Sequence, residues 1–286
     1  MANQKAVAVI TGAAGGLGFA LAEQCLHQGM DLVIADNQVD LLAEKAKTLS
    51  RRNLGLVTYL YCDVTVPESV GELVKLTYDT FGRVDYLYNN AGIIGKLAPL
   101  WEQKFVDLQK VLAVNLEGVI HVAQQFLPLM IAQEHRSHLI NVSSFYGLCS
   151  GSHVPGYAMS KHAIVALSES LYFDLHRLHK PVDVSVVCPS FIHTSLLNYS
   201  FLSDGSELHA LMSQLMTHGR PAKDVAHDII NAVSKKVFYI LPDKEVNDYC
   251  TQRVRAIVDQ EPPFMHAVER IIASLSRRIQ ARTVKE

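Results

Sequence analysis

The segment from Ala6 to Gly18 constrains this chain more than any other. Ala6-Val7-Ala8-Val9-Ile10 is an uninterrupted apolar run, the pattern of a strand buried on both faces. Thr11 follows, then glycines at 12, 15, 16 and 18, then a helix-like stretch to about Gln28. Glycines after a strand permit a tight turn and let backbone approach a pyrophosphate. The helix that follows would offer free N–H groups and its positive dipole end to that anion. The same stretch, preceded by Lys5 and ending in Ala20-Leu21-Ala22, superficially mimics a secretion signal. The glycines and Thr11 interrupt the run, which favours a strand and turn over a cleaved leader.

The rest of the chain repeats the opening unit. Leu32–Asp36, Val57–Cys62, Val84–Tyr88, Leu139–Val142, Val182–Val187 and Val237–Leu241 read as further strands. Helical patterns run between them: 37–50, Pro67–Phe81, Phe105–Ile131 (with a possible break) and Tyr157–His179. Alternation of this kind predicts an α/β fold, a doubly wound, mostly parallel seven-stranded sheet with helices on both faces. With 49% hydrophobic and 19% charged residues the chain is globular rather than disordered. Its 26 Lys and Arg against 28 Asp and Glu leave no basic footprint for nucleic acid. The five cysteines are scattered, with no Cys-x-x-Cys pair, which suits reduced thiols in the cytoplasm and no metal site. No run is long and apolar enough to span a bilayer.

Two positions carry chemistry by spacing. Asp36 ends the second strand 24 residues past Gly12, where a carboxylate accepts the adenosine ribose hydroxyls of NAD and repels the 2′-phosphate of NADP. Asn37 and the loop's Ala13 and Ala14 supply no basic alternative; the spacing favours the ribose role of Asp36 over a turn or cap at a strand end. Tyr157 and Lys161 are four apart, on one helical face. A free phenol ionises near pH 10; a neighbouring ammonium would favour its ionised form, so Tyr157, Lys161 and a nearby serine make a plausible proton-transfer site. Asn115, amid apolar neighbours in a helix, either bonds locally or is aimed at that site.

Taken together in order, Thr11-Gly12-x-x-x-Gly16-x-Gly18, Asn89-Asn90-Ala91-Gly92, Asn115, Ser144, Tyr157-x-x-x-Lys161 and Pro189 through Thr194 resemble the short-chain dehydrogenase/reductase family, over roughly Lys5 to Leu241. The glycines also fit the spacing of the family's longer, epimerase-type subclass, but Asn-Asn-Ala-Gly and the modest length favour the single-domain one. The resemblance implies a Rossmann-type domain over 1–241. In it Gly12, Gly16, Leu17 and Gly18 hold the pyrophosphate and Asp36 the ribose. Asp63 and Val64 would meet the adenine, and Asn90, Ala91 and Gly92 would support cofactor and sheet. Lys161 would bind the nicotinamide ribose, and Pro189, Ile192 and Thr194 would hold the carboxamide. Ser144, thirteen residues before Tyr157, is preferred to Ser143, and Asn115 would hold a water that links Lys161 to solvent. Ser190 stands where the family usually has glycine, which is expected to shift the carboxamide loop and alter substrate geometry.

The implied activity is NAD-dependent interconversion of a hydroxyl and a carbonyl, with Tyr157 as general acid/base. An epimerase or dehydratase with tightly held NAD, or a catalytically quiet NAD-binding scaffold, are the competing readings. Specificity is assigned to 95–101, 145–156 and 195–219. The last is a lid whose Leu, Met and aromatic residues point to a hydrophobic or aromatic secondary alcohol or ketone, or else pack on the core. His153 and His193 flank the site, as substrate contacts or as packing. A homodimer or homotetramer is expected. Residues 242–286 form an extension with a helix at 264–281, expected to pack on the core or on a second subunit in preference to a membrane surface.

Overall fold

The computed structural model describes residues 4–194, 196 and 207–283. Seven strands form one sheet: β1 (Val7–Thr11), β2 (Asp31–Asp36), β3 (Val57–Tyr61), β4 (Tyr86–Asn89), β5 (Ser137–Val142), β6 (Val182–Val187) and, after a minor two-stranded pair β7 (Ile192–His193) and β8 (Arg220–Pro221), β9 (Tyr239–Ile240). The order is β3-β2-β1-β4-β5-β6-β9 and every pairing is parallel. All residues of β1 and β5 are buried, as the unbroken apolar run of β1 requires when helices cover both faces. The order reverses between β1 and β4. Connections there leave in opposite directions, and a crevice opens beyond the carboxyl ends of the strands.

Helices α1 (Gly16–His27), α2 (Val39–Ser50) and α8 (Ala222–Ser234) cover one face, where Leu21, Leu26, Ile34 and Ile229 are buried together. Helices α3 (Pro67–Phe81) and α5 (Gly118–Ala132) cover the other, around Leu73, Leu87, Phe126 and Leu139. Proline opens α3, where its missing N–H costs nothing, and Gly82 closes it at φ 69°. The predicted helix 105–131 is interrupted: α4 (Phe105–Leu112) passes into a π turn, Ala113–Glu117, before α5. The helix predicted from Tyr157 begins two residues earlier, as α6 (Pro155–Arg177), with proline in its first turn. Helix α7 (Glu207–Thr217) lies in the predicted lid, whose Leu197, Tyr199, Phe201 and Leu202 fall outside the described residues. The extension holds α9 (Lys244–Val258) and α10 (Ala267–Thr283). Neither α8 nor α9 is anticipated from the sequence, although Val225, Ile229 and Val233 mark the buried stripe of α8 at helical spacing. Among the described residues no helix is long and apolar enough to cross a membrane, and no cluster of residues could hold a metal.

His138, at the start of β5, is 4% exposed. Its Nε2 lies 2.8 Å from the Ser185 hydroxyl, which itself donates to the Val237 carbonyl, so the neutral ring donates through Nε2. Burial pushes its pKa down to about 4. Below the unfolded value near 6.5 the unfolded chain takes up a proton the folded chain refuses, so this site's stability is lost as pH falls from 6.5 toward 4. The loss amounts to roughly 3 kcal/mol. Urea unfolding of wild type and His138→Gln at pH 7 and pH 4.5 should show a smaller acid-side loss in the variant; equal losses would remove His138 as the cause.

Candidate active site

The crevice at the strand-order reversal is a cleft of about 470 Å³. Its floor is the β1–α1 turn. Ala13 N–H donates to the Ala35 carbonyl and Ala14 N–H to the Asp36 carboxylate, which fixes the loop to β2. Asn90 closes the other side: its amide donates to the carbonyls of Thr11 (2.9 Å) and Gly12 (3.2 Å), while the Thr11 hydroxyl accepts the N–H groups of Asn90 and Ala91. Gly12 adopts φ 66°, and a Cβ on Gly18 would lie 2.1 Å from the Gly12 carbonyl oxygen. No side chain other than hydrogen fits at Gly18. A Cβ on Gly15, by contrast, would meet nothing within 4 Å. Helix α1 begins there with no side-chain cap and no acidic residue in its first turn, so its amides are free for an anion. A dinucleotide fits this cradle. Asp36 is 9% exposed and also accepts the Gln38 N–H at 3.0 Å, which orients the carboxylate at the cleft wall. Asp63 instead spends one carboxylate oxygen on Thr65, so the 63–64 segment presents mainly its fold, not a free charge.

The catalytic candidates converge on the same cleft. Ser144 follows β5, and its hydroxyl accepts the Tyr146 N–H at 3.2 Å. It also lies close enough to Tyr157 to pull that phenol's pKa down. Ser143 also lines the cleft, but its hydroxyl donates to the Lys161 carbonyl at 2.8 Å. Lys161 is 3% exposed; its Nζ donates to the Val142 carbonyl at 2.9 Å and lies 5.6 Å from the Tyr157 ring centre. Lys161 is not among the groups that shift Tyr157. Burial pushes Tyr157 up to about 12, against a lowering pull from Ser144. Burial likewise pushes Lys161 down to about 8. Enclosure disfavours the charged form of each group.

Every predicted site residue except Asn115 lines this one cleft, including Leu17, Val64, Gly92, Pro189, Ile192 and Thr194. Asn115 lies in the π turn, wholly buried; its amide accepts the Ile93 N–H and donates to the Ile93 carbonyl, each at 2.8 Å, and to Ser160 at 3.1 Å. A Cβ on Gly92 would touch both Asn115 Oδ1 (3.3 Å) and Lys161 Nζ (3.4 Å), so the three are neighbours. His153 and His193 do not line the cleft. Ser190 does not distort its loop, since it is not among the positive-φ residues that would call for glycine. Its N–H instead donates to Asp243 at 2.7 Å, and Asp243 is bridged to Arg220 at 3.2 Å. Asp243 is a site-shaping residue the sequence did not disclose, being 53 positions from its partner. The substrate end was only partly anticipated. It is walled by Tyr146, Val154, Phe191, Leu196, Met212 and Met216, none of them charged.

A parallel sheet with a glycine cradle at its reversal and a Ser–Tyr–Lys cluster beside it is the frame of a dinucleotide-dependent oxidoreductase. The family model described as short chain dehydrogenase matches residues 6–204. A dehydrogenase/reductase of CLA biosynthesis from Lactiplantibacillus plantarum is 31% identical over 93% of this chain and 98% of its own length. The 1-deoxy-11-beta-hydroxypentalenate dehydrogenase of Streptomyces avermitilis is 32% identical over 85% and 86%. A Burkholderia phymatum short-chain dehydrogenase/reductase, solved in complex with NAD, superposes with a TM-score of 0.86 at 32% identity, over 91% of this chain and 97% of the other. The chain belongs to the short-chain dehydrogenase family.

Gly18→Ala should weaken NADH binding by more than ~10-fold in a fluorescence titration, because its methyl would displace the Gly12 carbonyl and with it the cradle. Gly15→Ala, which meets nothing, should bind within ~2-fold of wild type. Similar affinities for the two variants would refute the cradle.

Proposed function

We propose that the protein is an NAD-dependent dehydrogenase/reductase that interconverts a hydroxyl and a carbonyl on a neutral, hydrophobic or aromatic secondary alcohol or ketone. The observation that carries this reading is the convergence of Ser144, Tyr157 and Lys161 at the junction of the glycine-lined and the uncharged apolar parts of one cleft. Bound nicotinamide supplies the hydride acceptor or donor. The chain's own part is orientation and proton transfer. Ser144 donates a hydrogen bond to the substrate oxygen. Tyr157 gives its proton to that oxygen in reduction and takes it back in oxidation. Lys161, held by the Val142 carbonyl, has the pKa of a group able to exchange a proton near neutrality, and Asn115 beside Gly92 extends the path outward through water. The apolar walls keep bulk water from the reacting carbon.

NAD preference rests on Asp36 and on the absence of lysine or arginine among the cleft residues around it, Asn37 and Gln38 included. The Burkholderia relative's complex with NAD supports the same choice. The two named dehydrogenase relatives support a hydroxyl–carbonyl substrate.

Tyr157→Phe should retain NADH binding within about twofold yet lose ~10²–10⁴ in turnover of secondary alcohols, the usual contribution of a general acid/base. Near-normal turnover would overturn the assignment. A change in NADH absorbance on adding substrate separates this activity from an epimerase or dehydratase, which would show none. Asp36→Ala combined with Asn37→Arg should move the Kd ratio toward NADP by at least ~10-fold, about 1.4 kcal/mol, measured by calorimetry with both cofactors. An unmoved ratio would remove Asp36 as the selector.

A further inference from the structure

The extension beyond the family's matched residues reaches back to the active-site loop. After the two prolines at 262 and 263 the chain turns into α10, and two side chains, one just before the helix and one in its first turn, meet the segment that follows Ser144. His266 is 1% exposed, and its Nε2 lies 3.1 Å from the Ser150 carbonyl. Glu269 accepts the Ser152 N–H at 2.8 Å. Between these ties sits Tyr146, 3% exposed, which walls the substrate end of the cleft. Its ring stands edge-on to Tyr157 with centres 6.1 Å apart, and packs against Phe145 (4.0 Å) and against His266 (6.2 Å). His266 is in turn enclosed by Phe145 at 5.7 Å and Tyr249 of α9 at 5.3 Å. The packing leaves no slack at Gly151: a Cβ there would lie 2.3 Å from the Tyr146 ring and 3.0 Å from the Glu269 carboxylate. Val268 and Ile272 of α10 join the same apolar cluster as Met212 and Met216 of α7.

We propose that His266 and Glu269 are positioning residues: they hold 145–152 so that Tyr146 stands as a fixed flat wall beside Tyr157, which makes the extension part of the substrate site and selects ring-bearing over small substrates. Neither side chain lines the cleft, so both act through Tyr146. A backbone segment with few partners of its own needs these ties. Among its described interactions, the stretch from Ser150 to Ser152 is fastened to the extension through one carbonyl and one N–H. A wall able to move would accept small ketones unchanged but would give up the oriented ring contact that a planar substrate gains against an aromatic face.

The inference rests on the proposed hydroxyl–carbonyl activity for its kinetic consequence only, and the test separates the two. Full-length Glu269→Ala, His266→Ala and Gly151→Ala are compared with wild type in the NADH-saturated state. Amide hydrogen exchange of 145–154 should quicken in the first two while that of 12–18 stays unchanged. With acetophenone and 2-butanone as probes, KM for acetophenone should rise ~10-fold in all three variants, with kcat and the 2-butanone parameters within ~2-fold and NADH Kd unaltered. Glu269→Gln, which keeps an acceptor for Ser152, and His266→Asn, which keeps a donor for Ser150, should recover most of the loss. Unchanged exchange in 145–154 overturns the proposal whatever the substrate. So does a uniform loss for both ketones together with weakened NADH binding, which would mark a merely structural role. If wild type reduces neither ketone, the proposed activity fails, and the exchange measurement alone decides the clamp.

Discussion

The cleft depends on one set of hydrogen bonds, the stitch between Thr11 and Asn90. Where the strand order reverses, the β1–β4 ladder ends at Ile10 and Tyr88, and the chain then departs from the two strands to opposite faces. The Thr11 hydroxyl accepts two N–H groups from the 90–91 turn, and the Asn90 amide answers with two bonds to the 11–12 backbone. Side chains thus continue the ladder beyond its end. Because Gly12 carries one of those carbonyls, and Gly18 packs on it, the stitch also sets the height of α1 and the direction of its free amides. The Asn115 bonds to Ile93 perform a similar task two residues on, where the chain passes the active-site lysine.

Much of this was legible because it is local. The strand–glycine–helix unit, the strand ends at Asp36 and Asn89, and the four-residue step from Tyr157 to Lys161 are each written within a short window, and period and spacing suffice to read them. What was not legible depends on distant partners. The protonation of Tyr157 is the clearest instance. Proximity of a lysine argued for an easily lost proton, but the enclosure created by the whole fold reverses the sign, and no window around 157–161 carries that information. Ser190 is a second instance. Its departure from glycine suggested distortion, yet Asp243, more than fifty residues away, receives its N–H and the backbone stays in ordinary territory. The missed helix α8 is different: its buried stripe was present in the sequence and simply less conspicuous than the strands around it, whereas α9 buries only Val246 and Ala256.

Electrostatically the site is arranged around neutrality. The substrate end has no charged wall, the phenol has a raised pKa, and the one buried amine has a depressed pKa. Besides Lys161, the charged groups lie at one end of the cleft, with Asp36 and Asp63, and in the Arg220–Asp243–Asp228 group behind the 189–194 loop.

The π turn at 113–117 carries a consequence of its own. A single i→i+5 turn inside an α-helix holds one residue more than the regular ladder needs. Helices α4 and α5 are therefore one rod in two registers, with the buried stripe of α5, including Val122 and Phe126, on the far side of the turn and Asn115 within it, bonded to Ile93. Sheet packing and the polar interior of the site are set by a single unit of chain length, so the rod tolerates substitution far more readily than a change in residue count.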